Sequence, residues 1–202
     1  VAAPAYAGIP VTHRTLASTL TIVTGHEDPE KPSTALEWSR LATSQGTLVF
    51  LMGMKNLSTI AATLLAEGRA GSTPVAIIRW GTRASQQTVV GTLADIVEKA
   101  EAEKMEPPTV IVVGEVVRLR SKLNWFEQRP LFGKRVLMTR AKEQAGELAA
   151  RLASYGAEPV EAPTITIVPP PDWASVDHAL SEIRTHDWII FTRVNSESRF
   201  MT

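Results

Sequence analysis

The sequence predicts an α/β protein made of two successive units. Short, uniformly apolar runs such as Thr47–Met52 and Thr109–Val113 recur along the chain, and segments with helical periodicity separate them. Strands this apolar are typical of sheets that are covered on both faces, and alternation of strands with helices is the pattern of α/β folds. The pattern restarts after the aromatic, proline-ended stretch 124–130, which indicates a second unit.

Composition excludes several classes of function. The 202 residues can form one or two domains, and the 21 basic and 21 acidic residues cancel, so we expect no nucleic-acid surface. The absence of cysteine excludes disulfides and suits a cytoplasmic protein. No apolar run approaches the roughly 18 residues of a membrane span. The start at Val1 and the stop just after a strand-like run lead us to expect a fragment of a longer protein.

The first unit is predicted to begin with an irregular segment over 1–19. Strands are then expected at 20–23, 47–52, 75–78 and 109–113, and helices at 35–41, 57–65 and 93–100. Asn56 and Thr92 are the predicted N-caps of the last two helices, and Gly68 is the predicted left-handed stop of the middle one. Strands 47–52 and 75–78, joined by a helix, predict a parallel βαβ crossover whose strand ends lie together.

The second unit reads as half of a doubly wound sheet. Strands are expected at 135–138, 159–160, 165–168 and 188–191. A helix with Ala145, Leu148, Ala149 and Leu152 on its inner face should end at Gly156. A later helix, capped by Asp172, should present Trp173, Val176, Leu180 and Ile183 on one face.

The end of the strand at Met52-Gly53 is the predicted ligand site. Ligands of open α/β sheets bind outside the carboxyl ends of the strands, and glycine lets a ligand approach the backbone. The alternative is that Met52 only fills the core. No acid-base pair, activated nucleophile, phosphate loop or zinc spacing is present, and no GxGxxG follows a strand. We expect no metal at the cluster 26–28, because adjacent residues on an extended chain point to opposite faces.

Ordered motifs over residues 1–127 resemble the C-terminal half of uroporphyrinogen-III C-methyltransferase, of the tetrapyrrole methylase family. They are AYAGIPVTHR (5–14), VTGHE (23–27), TLV with MG (47–53), PVA with GT and Gln86 (74–86), GTL (91–93) and VVGEVV with LNWF (112–126). Residues 132–202 are similar to the start of uroporphyrinogen-III synthase. The motifs there are VLMTR (136–140), GA (156–157), APTI (162–165) and DWIIFT (187–192). Thr192-Arg193 and Asn195-Ser196 depart from the Thr-Ser and Asn-Gly steps of that family.

The resemblance implies a domain plan. Residues 1–19 would be the tail of a missing N-terminal methylase domain, 20–127 the C-terminal methylase domain, 128–131 a linker, and 132–202 the truncated start of a flavodoxin-like synthase domain.

The resemblance also implies an activity and a site. The parent would methylate uroporphyrinogen III to precorrin-2 with S-adenosylmethionine, without a metal, and would cyclise hydroxymethylbilane in its synthase part. Met52, Gly81 and Thr109 are the implied cofactor contacts, the catalytic residues remain unknown, and a homodimer is implied. This fragment alone would be inactive. The alternative is a non-catalytic scaffold or regulatory module that keeps the methylase fold.

Overall fold

A five-stranded mixed sheet forms the centre of the first part of the chain. The structure is a computed structural model that describes residues 1–25, 36–139, 142–165, 168 and 171–190. The strands of the sheet are Leu20–Thr24 (β1), Thr47–Leu51 (β2), Pro74–Arg79 (β3), Gln87–Thr92 (β4) and Thr109–Val113 (β5), in the spatial order β1-β2-β5-β3-β4. All four predicted strands of this unit are confirmed, and β4 corresponds to a segment that the sequence predicts only as a short extended stretch, at 88–91.

The predicted parallel crossover joins β2 to β3 through a helix, but the two strands are not neighbours, because β5 lies between them and runs antiparallel to both. Leu51 pairs with Val110 on one side of β5, and Arg79 pairs with Thr109 on the other. The chain returns after its fourth helix and fills the central gap, so that the backbone groups of β5 are paired on both sides. β2 and β3 still point the same way. Their last residues and the first residues of β5 therefore share one end of the sheet, which we call the Met52 end.

Helices cover both faces of this sheet. They are Ala2–Tyr6 (α1), Trp38–Thr43 (α2), Leu57–Ala66 (α3), Ile96–Ala102 (α4) and Arg120–Leu123 (α5), with 3₁₀ helices at Met54–Asn56 and Glu115–Leu119. α1 corrects the irregular segment predicted for 1–19. One face of the sheet packs against α2, α3 and α4 around Phe50, Leu64, Ile77 and Ile96. The other packs against the N-terminal segment and the 3₁₀ helix at 115–119 around Ile9, Val49, Val112 and Val116.

Local signals at the helix ends gave mixed results. Gly68 ends α3 with a φ of 95°, as predicted. Asn56 precedes α3, but its amide donates to the carbonyl of Gly25 at 2.8 Å and makes no side-chain cap. α4 begins at Ile96, because Thr92 closes β4 and its amide donates to a carboxylate oxygen of Asp95 at 2.6 Å. The predicted cap at Thr92 is therefore wrong.

A second, two-stranded sheet follows in the same unit. Arg135–Met138 (β6) and Glu158–Glu161 (β7) pair in parallel and are joined by the helix Lys142–Ser154 (α6). Gly156 ends this connection with a φ of 92°, as predicted. Leu148 is exposed, contrary to its predicted inward position, because a sheet of two strands is too narrow to cover the whole apolar face of α6.

The chain divides into two compact units, Val1–Thr164 and Ile165–Thr202. The described part of the second holds the helix Ala174–Ser181 (α7) and a 3₁₀ helix at Ile183–Thr185. The N-cap of α7 is Trp173 and not the predicted Asp172, although a carboxylate oxygen of Asp172 accepts a hydrogen bond from the amide of Ala174 at 2.9 Å.

The strands predicted at 165–168 and 188–191 are not found at the positions that the structure describes. Residues 188–190 form no strand, and neither do 165 and 168. The remaining positions of those predictions, 166–167 and 191, lie outside the described residues, as do the predicted cluster 26–28 and the motif departures at 192–196. None of the described helices is long and apolar enough to cross a membrane.

Candidate functional site

A crevice opens at the Met52 end of the sheet, where the loop after β2 faces the loop that enters β5. Its volume is about 280 Å³. The residues that line it are Met52, Met54, Lys55, Pro107, Pro108 and Thr109. Most of this surface is apolar, which is typical of small-molecule sites.

The structure brings two of the three predicted contact residues into this crevice. Met52 is 64% exposed, so the alternative that it fills the core is wrong. Thr109 faces it across the crevice and is half-buried. Gly81 lies at the same end of the sheet, in the loop 80–86 between β3 and β4, which we call the Gly81 loop, but it does not line the crevice. The amide of Trp80 donates to the carbonyl of Pro108 at 3.4 Å, which ties this loop to the crevice wall.

Gly81 itself packs against the N-terminal helix. A Cβ at this position would overlap the Cβ of Ala3 in α1 and lie 3.0 Å from its Cα. Glycine is therefore required by the close approach of α1 to the loop. The N-terminal segment thus forms the support of the Gly81 loop.

Backbone strain is concentrated at the Met52 end. Met52, Trp80 and Thr82 have φ values of 57°, 47° and 78°. Each such conformation costs a non-glycine residue on the order of 1 kcal/mol or more. Residues in left-handed conformations cluster at binding sites, where the surrounding structure holds a loop in its binding conformation despite the strain.

The crevice offers few polar groups. The hydroxyl oxygen of Thr109 is buried and, among the residues that the structure describes, has no hydrogen-bond partner. Lys55 contributes an exposed ammonium at the opening. Nowhere in the described ranges do three His, Asp or Glu side chains come together as metal ligands would. The crevice can therefore bind and orient a small molecule, and it carries no acid-base pair of its own.

A buried carboxylate lies behind the Gly81 loop. One oxygen of Glu127 accepts hydrogen bonds from the side chains of Gln86 at 2.8 Å and Thr88 at 2.7 Å. The other accepts from Arg120 at 2.5 Å and forms an ion pair with it. Burial by itself would raise the pKa of Glu127, but the hydrogen bonds from Arg120, Gln86 and Thr88 outweigh it and hold the pKa below its usual value. Glu127 is therefore ionised at neutral pH.

The same network reaches both the loop and the N-terminal helix. The amide oxygen of Gln86 accepts a hydrogen bond from the backbone N–H of Thr82 at 2.9 Å. Arg120 donates to the carbonyl of Ala7, next to the end of α1, at 2.6 Å. Sequence reasoning missed this network, since Glu127 follows Gln86 by 41 positions and no local spacing joins them.

Aromatic rings occupy the stretch predicted to join the two units. Phe126 makes edge contacts with Tyr6 at 4.7 Å and with Phe132 at 5.4 Å between ring centroids. The guanidinium of Arg129 lies 4.6 Å from the ring of Trp125. These contacts connect α1 with the residues that precede β6.

Comparisons with known proteins identify the class. The cobalt precorrin-4 methyltransferase CbiF has a TM-score of 0.52 and 18% identity, covering 57% of this chain and 48% of that one. A likeness of this degree shows the fold alone, and it confirms the predicted fold class.

Sequence comparison makes the assignment more specific. Residues 1–97 match the family model described as Tetrapyrrole (Corrin/Porphyrin) Methylases, and residues 146–201 match that of Uroporphyrinogen-III synthase HemD. The first part of the chain is thus similar to tetrapyrrole methylases and a later part to HemD, which confirms the resemblance.

The chain covers only part of the length of two of its relatives. It is 41% identical over 195 residues to the porphyrin biosynthesis protein HemD of Ruminiclostridium josui, an alignment that covers 96% of this chain and 38% of that protein. It is 52% identical over 129 residues to the S-adenosyl-L-methionine-dependent uroporphyrinogen III methyltransferase of Methanosarcina barkeri, covering 64% of this chain and 50% of that protein. The chain thus spans half or less of the length of these relatives.

Proposed function

We propose that this chain supplies one wall of the S-adenosylmethionine cleft of a uroporphyrinogen-III C-methyltransferase that is fused to a uroporphyrinogen-III synthase. The observation that carries the proposal is the mainly apolar crevice lined by Met52 and Thr109, at the end of a methylase-type sheet. The similarity of the chain to a uroporphyrinogen III methyltransferase and to a HemD protein supports the pairing of activities. The second wall of the cleft would come from sequence outside this chain, since the relatives are longer.

The reaction needs positioning more than an activated protein nucleophile. S-adenosylmethionine supplies a methyl group on a sulfonium, and an electron-rich pyrrole carbon of the substrate attacks it directly. A carbon–carbon bond would form as the carbon–sulfur bond breaks and S-adenosylhomocysteine leaves. The positive charge would pass to the tetrapyrrole, which would then lose a proton. Alignment of carbon, methyl and sulfur is worth several kcal/mol. A crevice that carries no acid-base pair and is formed by strained loops suits this requirement.

Each of the three predicted cofactor contacts has a proposed role. Met52 packs its thioether against the cofactor. The hydroxyl of Thr109, which has no hydrogen-bond partner within the described part of the chain, donates to or accepts from a polar group of the cofactor. Gly81 brings the backbone of its loop close to the cofactor. The domain plan remains that predicted from the sequence, with the methylase part over 20–127 and the synthase part over 132–202, and the assembly is proposed to be a homodimer.

The function is tested with the full-length protein. Incubation with uroporphyrinogen III and S-adenosylmethionine should give a product that mass spectrometry shows to be heavier by two methyl groups. Incubation with hydroxymethylbilane should give uroporphyrinogen III and then the same methylated product. A protein that leaves both substrates unchanged, while it is folded by circular dichroism, would instead be the non-catalytic scaffold.

A Met52→Asp substitution should raise the dissociation constant for S-adenosylhomocysteine at least about tenfold, because a carboxylate facing an apolar ligand loses its hydration without gaining a partner. The backbone should tolerate the change, since aspartate adopts the left-handed conformation of Met52 more readily than most residues. Isothermal titration calorimetry on the full-length protein measures the effect.

The matched control is Val90→Asp, on the edge strand β4. Val90 is 41% exposed and lies outside the crevice, so affinity should stay at the wild-type value. Equal affinities for wild type and the Met52 variant would remove Met52 from the cofactor site.

A further inference from the structure

We propose that Glu127 is a positioning residue that fixes the Gly81 loop and thereby sets the affinity for the methyl donor. The inference rests on the proposed function, since it names what controls that same site. Glu127 itself does not line the crevice, so any effect on the cofactor must pass through the loop.

The Gly81 loop needs to be held. Trp80 and Thr82 adopt left-handed conformations on either side of Gly81, which a free loop of ordinary residues would leave for lower-energy ones. The amide of Thr82 is fixed by the side-chain oxygen of Gln86, four residues later in the same loop. This hydrogen bond holds the second strained residue in place.

Glu127 determines which way the side chain of Gln86 points. A Gln amide has one accepting and one donating end. The donating end of Gln86 lies 2.8 Å from a Glu127 oxygen, so its accepting end is turned toward Thr82. Gln86 is buried, and a buried amide that lost this partner would have to find another or leave the loop. The carboxylate thus selects the orientation that keeps the Gly81 loop in shape.

The loop is also supported from its other side through the same carboxylate. Arg120 pairs with Glu127 and donates to the carbonyl of Ala7, beside α1, whose residue Ala3 packs directly on Gly81. The side chains of Arg120 and Glu127 are only 15% and 16% exposed, so water screens the pair little. Two routes, one polar and one through packing, converge on the same loop.

The decisive test inverts the hydrogen bond. In Glu127→Gln one carboxylate oxygen is replaced by an NH₂ group. This donor would face the donating group of either Gln86 or Arg120, so the network should be disrupted. The double variant Gln86→Glu with Glu127→Gln restores it with reversed polarity. The new carboxylate at position 86 would accept from Thr82 and from the new amide at position 127, whose oxygen accepts from Arg120. If Glu127→Gln only destabilised the protein, adding Gln86→Glu would not restore the affinity.

The measurement is the dissociation constant of S-adenosylhomocysteine for the full-length protein, with the Michaelis constants for the methyl donor and the tetrapyrrole. Glu127→Gln should weaken binding about tenfold, the size expected for one charge-assisted hydrogen bond. The Michaelis constant for the methyl donor should rise, that for the tetrapyrrole should stay unchanged, and the double variant should recover most of the affinity. Glu115→Gln is the control, because Glu115 forms a surface ion pair with Arg118 outside the crevice.

The outcomes separate the two proposals. Wild-type protein that does not bind S-adenosylhomocysteine refutes the proposed function and this role with it. Wild-type protein that binds, with a Glu127→Gln variant of equal affinity, refutes only the positioning role. If Glu127→Gln does not fold, Gln86→Met replaces it, because this variant leaves the Arg120–Glu127 pair in place. It should show the same loss of affinity for S-adenosylhomocysteine. Unchanged affinity in Gln86→Met also overturns the positioning role.

Discussion

Phe50→Ala should lower the free energy of unfolding by about 3–5 kcal/mol, the range for removing a fully buried aromatic side chain. Phe50 is 0% exposed and lies in β2, at the centre of the larger core. Its ring stacks on that of Trp38 in α2 at 6.2 Å between centroids, with 13° between the planes. Truncation would therefore leave a cavity between the sheet and α2 that neither element can easily fill.

Urea denaturation of wild type and variant, followed by tryptophan fluorescence, measures this loss. The neighbouring residue supplies the control. Leu51 is 39% exposed, so Leu51→Ala should cost only about 0.5 kcal/mol, as for an ordinary surface change. Equal losses for the two variants would show that Phe50 does not lie in a tightly packed core.

Gly8→Ala should be more damaging than Gly68→Ala. It should lower the free energy of unfolding by about 2–5 kcal/mol, the sum of backbone strain and overpacking. Gly8 has a φ of 72°, and a Cβ there would lie 2.6 Å from backbone atoms of Leu123 and Asn124. Backbone atoms cannot move aside as the tip of a side chain can. The N-terminal segment would have to separate from α5.

The comparison that isolates the clash is Gly68→Ala. Gly68 has a φ of 95°, but a Cβ at this position would meet nothing within 4 Å. It should therefore cost only the conformational part, about 1 kcal/mol. Melting temperatures of the two variants, measured by differential scanning calorimetry, should differ clearly, and similar values would show that residues 8 and 123–124 do not approach as closely as described.

Strands and their ends could be predicted from the sequence, because a run such as Thr47–Leu51 is too apolar to lie anywhere but inside a sheet. The order of the strands could not. The residues of β5 suit either direction of pairing, and its place between β2 and β3 depends on how the whole chain folds back. The prediction that β2 and β3 end at the same edge of the sheet does not depend on this order, since both strands stop there whichever strand separates them.

The candidate site was predictable only where it followed from strand ends. Met52 and Thr109 flank the ends of two central strands and meet in the crevice. The Glu127 network was not predictable, because its members contact one another only after the segment 120–127 has packed against the Gly81 loop. α1 was missed for a different reason, since five residues that include a proline give no helical periodicity.

The central position of β5 also affects how the protein is made. The ribosome delivers β2 and β3 well before residues 109–113, so the middle of the sheet is the last of its strands to be synthesised. Until then, two apolar strands each present an unpaired edge to other nascent chains. The nascent polypeptide therefore passes through a period in which these two apolar edges are unpaired, and β5 pairs with both of them once it is synthesised.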